Sequence, residues 1–260
     1  MRFVYDDSSV CFVNCHLAAG QTNITARNND AHKILDNIEF ETLANDLDRN
    51  TRNEYGQVFV DGGNGSIITD HEICFFSGDL NYRIDVSREV TINKINNKDF
   101  DYLLEHDQLI KQRIKNPGFR LKSFSEGRIA FAPTYKYNPG EDVYDTSEKK
   151  RTPAWCDRIL YRGKWIKLLN YQRYECKVSD HRPISGTFQA KVKTIRKEVR
   201  AEVEDEVKGQ WEEYLEEEKK TKKLLWLVRA GYDIEEARKA LEGRGSMHKA
   251  INRLNKSNSR

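Results

Sequence analysis

Short apolar blocks set between polar turns fill residues 1–190, and a longer charged rhythm takes over from Lys191. Arg2–Tyr5 and Val10–Asn14 predict two strands around a turn at Asp6-Asp7-Ser8-Ser9. A polar loop follows, then a helix over about Asp30–Leu47 with Ala31, Ile34, Leu35, Ile38 and Leu43 on one side. Asp61-Gly62-Gly63-Asn64-Gly65 predicts a loop or hairpin turn, and Ile73–Phe76 a strand. Phe100, Leu103, Leu104, Leu109 and Ile110 place a second helix over Asp99–Lys115, stopped by Asn116-Pro117-Gly118. Cys156–Tyr161 and Ile184–Phe188 predict the last two strands. Beyond them, Lys191–Lys223 holds ten basic and ten acidic side chains and no proline. Ile195, Val199, Val203, Val207, Trp211 and Leu215 recur every four residues there, a stripe that rotates by about 40° per step around a helix. Residues 191–223 therefore read as a long charged helix, and residues 224–260 as two or three short ones.

Composition narrows the class. Hydrophobic residues are 38% of the 260, charged residues 33%, and the mean hydropathy is −0.81, so a solvated segment beside a packed domain is expected. A formal net charge of +3 is too small for wholesale nucleic-acid binding, and any anion site must be a local cluster. The five cysteines (Cys11, Cys15, Cys74, Cys156, Cys176) show no paired metal spacing, which fits reduced thiols. No apolar run approaches the roughly 20 residues of a bilayer span, and no signal-peptide core follows Met1. A cytoplasmic protein is expected.

Four clusters carry polar groups that a plain core would not need. In the stretch Cys74–Arg83 an apolar run ends in Ser77-Gly78, and Asp79, Asn81 and Arg83 follow at every second position. A buried strand there would deliver an acid, an amide and a cation to one side of a sheet rim. The other clusters are Asn14-Cys15-His16 with Arg27-Asn28 and Asp30, the run Pro133–Arg158, and Ser179-Asp180-His181-Arg182-Pro183. Singly each has an ordinary reading: a hydrogen-bonded histidine, a local Asp157-Arg158 ion pair, a solvated Lys149-Lys150-Arg151 run, a capped turn. Together they supply a base for water, donors for phosphoryl oxygens, an orienter for a histidine and cations for a substrate. No cysteine sits in a phosphate-cradling loop with arginine, and no Gly-Lys-Ser/Thr loop is present, which argues against a cysteine phosphatase and a P-loop hydrolase.

Asn14–Ala19, Arg27-Asn28-x-Asp30, Gly78–Ile84, Pro133–Tyr137, Asp145–Leu160 and Ser179–Pro183 follow, in order, the motifs of the inositol polyphosphate 5-phosphatase family, which this chain resembles over about residues 2–190. The resemblance implies an α+β fold, the four-layer α/β/β/α sandwich of the endonuclease/exonuclease/phosphatase superfamily, followed here by an all-α extension. It implies Mg²⁺-dependent removal of the 5-phosphate from a phosphoinositide lipid or a soluble inositol polyphosphate. A lipid substrate would bring peripheral membrane contact. Carried over by motif, Asp79 would orient or deprotonate the attacking water, and Asn81 and His16 would bind the scissile phosphate. His181 would bind or protonate it, held by Asp157, with Asp180 beside the metal. Tyr135, Lys136, Lys150 and Arg151 would recognise the neighbouring 4-phosphate, while Arg83 and Arg158 would help shape the site.

The resemblance departs from the family at its upstream end. An early asparagine and a Gln-Glu pair, whose glutamate is the family's principal Mg²⁺ ligand, have no counterpart before His16. Residues 1–190 are therefore expected to be the C-terminal part of a catalytic domain, inactive or nearly so alone, with apolar faces uncovered. Two other readings stay open. A nuclease of the same superfamily shares the apparatus, although the cation set and the near-neutral charge argue against nucleic acid. A non-catalytic phosphoinositide-binding or scaffold module is favoured by the missing glutamate and by the extension, which offers a surface for a protein partner. Gly231-Tyr232 followed by Ala237–Leu241 is similar to ubiquitin-associated domains.

Overall fold

The strand Ser8–His16 (β2) is the axis of the main sheet in a computed structural model that describes residues 1–41, 57–242 and 247–257. It pairs antiparallel with Arg2–Tyr5 (β1) and parallel with Ile73–Asp79 (β3). The other edge of β3 pairs antiparallel with Asp157–Arg162 (β5), which carries the short Ser125–Glu126 (β4), giving the order β1-β2-β3-β5-β4. Ile166–Arg173 (β6) and Ile184–Ala190 (β7) form a separate antiparallel pair.

Two-residue alternation sorts the faces of the main sheet. Cys11, Cys74, Phe76 and Leu160 share one core with Ala31 and Leu35 of the helix Ile24–Asn37 (α1). Val10, Ile73 and Phe75 turn the other way and meet Ile166 and Phe188 of the second sheet. The Phe188 ring stands edge-on to Phe75 at 4.9 Å and to Tyr161 at 5.0 Å, the favoured geometry for aromatic pairs. Helices, main sheet and second sheet are thus stacked layers, as the sandwich expectation required.

Three helical details differ from the periodicity. α1 begins at Ile24, ahead of the expected Asp30. Its polar opening hides a buried arginine: Arg27 donates to the Ala18 and Gly20 carbonyls and to Gln108 Oε1, neutral acceptors that hold its charge inside. The expected C-terminal end of this helix, with Leu43, lies outside the described residues. Arg88–Asn96 (α2) escaped prediction; Ser87 caps it by accepting from the Val90 amide at 3.3 Å. The single helix expected over Asp99–Lys115 is two, Phe100–Glu105 (α3) and Gln108–Lys115 (α4). Asp107 breaks it by capping α4 through the Ile110 amide at 2.9 Å.

A second compact unit spans Ile195–Arg260. Its helix Lys197–Arg229 (α5) has 33 residues and runs on through Leu224–Val228, past the boundary expected at 223. Val199, Val203, Val207 and Trp211 along it are exposed. Leu227 packs with Ala237 and Ala240 of Ile234–Leu241 (α6) and with Ala250 and Leu254 of Met247–Ser257 (α7). No helix among the described residues is long and apolar enough to cross a membrane.

Candidate active site

Strand register gathers the chemistry. His16 lies opposite Asp79 in the parallel pair β2–β3, and Asp79 lies opposite Asp157 in the antiparallel pair β3–β5. The three residues therefore share one end and one face of the main sheet. Gly78 permits the approach: its φ is +125°, and a Cβ there would lie 2.1 Å from the Cys15 carbonyl oxygen.

Asp79 Oδ2 is 3.3 Å from His16 Nε2 and 4.0 Å from His181 Nε2, while its Oδ1 accepts the Asn81 amide at 3.0 Å. His181 is oriented from its far side, where Nδ1 sits 2.8 Å from Asp157 Oδ2. Thr134 Oγ1 donates to that same oxygen at 2.6 Å. The extended segment Thr134–Tyr137 carries His181 into place. The Arg182 amide donates to the Thr134 carbonyl and the Tyr137 amide to the Asp180 carbonyl, each at 2.9 Å.

Electrostatics separate the carboxylates. Burial, with the Asp157 carboxylate adding, pushes the Asp79 carboxyl above its ordinary value and makes it a stronger base. Burial works against a charged His181, but the bond to Asp157 outweighs it and raises the imidazole above its ordinary value. Partial burial opposes a charged Asp180 too, yet Lys136, 2.5 Å away, holds it below the usual carboxylate range.

The expected residues divide in two. Asp79, His16, Asp157 and His181 converge, and Lys136 and Asp180 adjoin them through the segment that carries His181. Arg158 does not: as Asp157's neighbour on β5 it faces the opposite side. It is fully buried there, 2.6 Å from Glu126 and 3.0 Å from Asp107. Its expected part in the site is corrected to a buried ion cluster. Asn81 and Arg83 also leave the alternation expected of them, because β3 ends at Asp79 and Asn81 has φ +57°. Both are buried; Asn81 Nδ2 donates to the Leu17 carbonyl and Arg83 Nη2 to Asn81 Oδ1. Tyr135 touches Arg83 and His181, with the Arg83 guanidinium 4.5 Å from its centroid and the tilted His181 ring at 4.7 Å. Lys150 and Arg151 lie in a loop joined to Lys136, since the Asp145 amide donates to the Lys136 carbonyl at 2.8 Å. Thr134 had no role in the sequence reading; its place in the Pro133–Tyr137 run was the only signal. Among the described residues, no group of three or more His, Cys, Asp or Glu side chains is disposed to hold a metal ion. Asp180, expected beside magnesium, is paired with Lys136. These residues do not by themselves fit that ion.

The family model described as Endonuclease/Exonuclease/phosphatase family 2 matches residues 1–187. The chain belongs to that family. Among its relatives are inositol polyphosphate 5-phosphatases, which are hydrolases. A probable inositol polyphosphate 5-phosphatase of Schizosaccharomyces pombe is 48% identical over 230 residues, 88% of this chain and 19% of the relative. Synaptojanin of Caenorhabditis elegans is 40% identical over 199 residues, 75% of this chain and 16% of the relative. The chain thus spans less than a fifth of the length of either. A crystal structure of the inositol polyphosphate 5-phosphatase domain of a synaptojanin, complexed with inositol (1,4)-bisphosphate and calcium ion, superposes with a TM-score of 0.68 at 36% identity. It covers 84% of this chain and 57% of that one.

Proposed function

We propose that the Met1–Thr194 unit carries a phosphoric monoester hydrolase site for the 5-phosphate of inositol polyphosphates, free or lipid-borne. One observation carries the reading: the Asp79 carboxylate stands between two imidazoles, and one of these is held by a second carboxylate. Asp79 accepts a proton as water attacks phosphorus. The bond from phosphorus to the inositol oxygen breaks, and His181 Nε2 gives that oxygen a proton while Asp157 keeps the ring charged and aimed. His16, largely exposed at 73%, offers a donor to a phosphoryl oxygen. Lys136, Lys150 and Arg151 supply cations for a neighbouring phosphate. The names and bound ligand of the relatives support the substrate class.

Phosphate release from inositol 1,4,5-trisphosphate, compared between the wild type and Asp79→Asn, tests the proposal. A lost general base lowers the rate by roughly 10²–10⁴-fold. The ratio is readable even where the absolute turnover of the chain is low. Equal rates in the two proteins would overturn the reading, and nicking of supercoiled DNA in place of phosphate release would move the site to a nuclease.

A further inference from the structure

Asp145 is a carboxylate only 2% exposed, to which neither the motif nor the catalytic geometry assigns a task. Its Oδ1 accepts the Ser147 amide at 3.0 Å and its Oδ2 the Arg151 amide at 2.8 Å. Its own amide donates to the Lys136 carbonyl at 2.8 Å, and its carbonyl accepts from Arg88 Nη2 at 2.8 Å. Within the loop so closed, the Lys150 amide donates to the Ser147 carbonyl at 3.0 Å, and Lys150 takes a positive φ of 37°. Tyr137 and Tyr144 bridge one side of the loop, and Tyr135 and Ala154 the other.

The Asp145 side chain therefore ties both ends of the loop that bears Lys149, Lys150 and Arg151, and its main-chain amide fastens that loop to the Lys136 carbonyl. The carboxylate is met by donors of its own loop, the Ser147 and Arg151 amides with the Ser147 hydroxyl, so it sets the course of the chain without an ion pair to the loop's cations. Amide donors arranged this way favour the ionised carboxylate. Burial pushes Asp145 up, but the Arg151 amide, the Ser147 hydroxyl and amide and the nearby Lys136 outweigh it and hold it below its ordinary value. A loop of adjacent lysines would otherwise have to be ordered by the ligand, at an entropic cost to affinity.

We propose that Asp145 is a positioning residue that sets the Lys149–Arg151 cations against a second phosphate of the substrate, and so determines selectivity for adjacent phosphates. The inference rests on the hydrolase reading above. The asparagine variant keeps size but turns one acceptor into a donor facing an amide.

The test compares inositol 1,4,5-trisphosphate with inositol 1,5-bisphosphate, which lacks the neighbouring phosphate. Asp145→Asn is expected to raise KM for the trisphosphate about tenfold, on the scale of one lost charge-assisted contact, with kcat within about twofold. KM for the bisphosphate stays within about twofold, so the discrimination collapses. Titration with inositol 1,4-bisphosphate reads the same loss without turnover. Amide exchange at Ser147 and Arg151 should quicken while Tyr135 and Ala154 stay protected. Arg88→Met, which releases the Asp145 carbonyl but spares the carboxylate, gives a smaller change of the same sign and serves where Asp145→Asn does not fold. Equal losses on both substrates, or intact discrimination in both variants, overturn the inference alone. A wild-type chain that neither hydrolyses the trisphosphate nor binds inositol 1,4-bisphosphate overturns the hydrolase reading and this inference with it.

Discussion

Thr134 and His181 share one oxygen: Thr134 Oγ1 donates to Asp157 Oδ2 at 2.6 Å, and His181 Nδ1 lies 2.8 Å from the same atom. The threonine is fully buried and close to the imidazole's own anchor, so it fixes the carboxylate that fixes the histidine. Outer partners of this sort hold a catalytic ring in one orientation.

Thr134→Val removes the hydroxyl and keeps the shape. The lost bond to an ionised group is worth about 1.5–3 kcal/mol, so kcat should fall by roughly tenfold to a hundredfold while KM changes little. Thr134→Ser restores the donor and should recover most of the rate. Steady-state kinetics on the three proteins decide it; a loss confined to KM would place Thr134 in substrate binding.

Arg158→Met strands two acids. Asp107 is fully buried and Glu126 nearly so, and burial already pushes the Asp107 carboxyl up despite the guanidinium. Removing one partner of a buried pair costs about 3–5 kcal/mol, enough to unfold a marginal domain. Urea unfolding should show that loss, and a triple variant with Asp107→Asn and Glu126→Gln should regain part of it. An Arg158→Met protein of wild-type stability but raised KM would return the residue to the substrate site.

Gly78→Ala should be among the most damaging small substitutions. The added methyl meets the Cys15 carbonyl at 2.1 Å on a backbone of φ +125°, where the strands must stay close to bring His16 opposite Asp79. Strain of this kind costs about 1–3 kcal/mol, and any relief by strand separation widens the gap between His16 and Asp79. Both the melting temperature and the turnover are expected to drop; a variant with unchanged turnover contradicts the role given to the glycine.

His71 sets an acid limit on stability. It is 1% exposed, edge-on to Phe40 at 5.7 Å and Phe59 at 5.4 Å, with Nδ1 3.1 Å from the Ile67 carbonyl. Burial lowers its pKa from the ordinary 6.5, despite the two carbonyls that favour the charged ring. The unfolded chain therefore takes up a proton that the folded chain resists. Stability from this group is whole above pH 6.5 and drains away as the pH falls through that value toward the folded pKa. Between pH 7 and 5 the wild type should lose more stability than His71→Phe, by up to about 1.4 kcal/mol per pH unit. Parallel pH curves would exclude the effect.

Much of this molecule was determined by local sequence. The apolar runs at Ile73–Phe76 and Cys156–Tyr161 declare strands because their own residues must be buried, and β3 and β5 stand there. The motifs named Asp79, His16, Asp157 and His181, and these converge. Tertiary structure decided the rest. Asp157 and Arg158 are neighbours with similar claims to a polar site, and only pairing with β3 settles that one faces the histidine and the other Asp107 and Glu126. The break between α3 and α4 has the same origin, since Asp107 serves a helix cap and that distant arginine at once. Thr134 and Asp145 act through bonds to Asp157, Ser147 and Arg151 that no hydrophobic period records. Periodicity reports which side of an element is buried; what a buried charge is buried against depends on the chain that folds back over it.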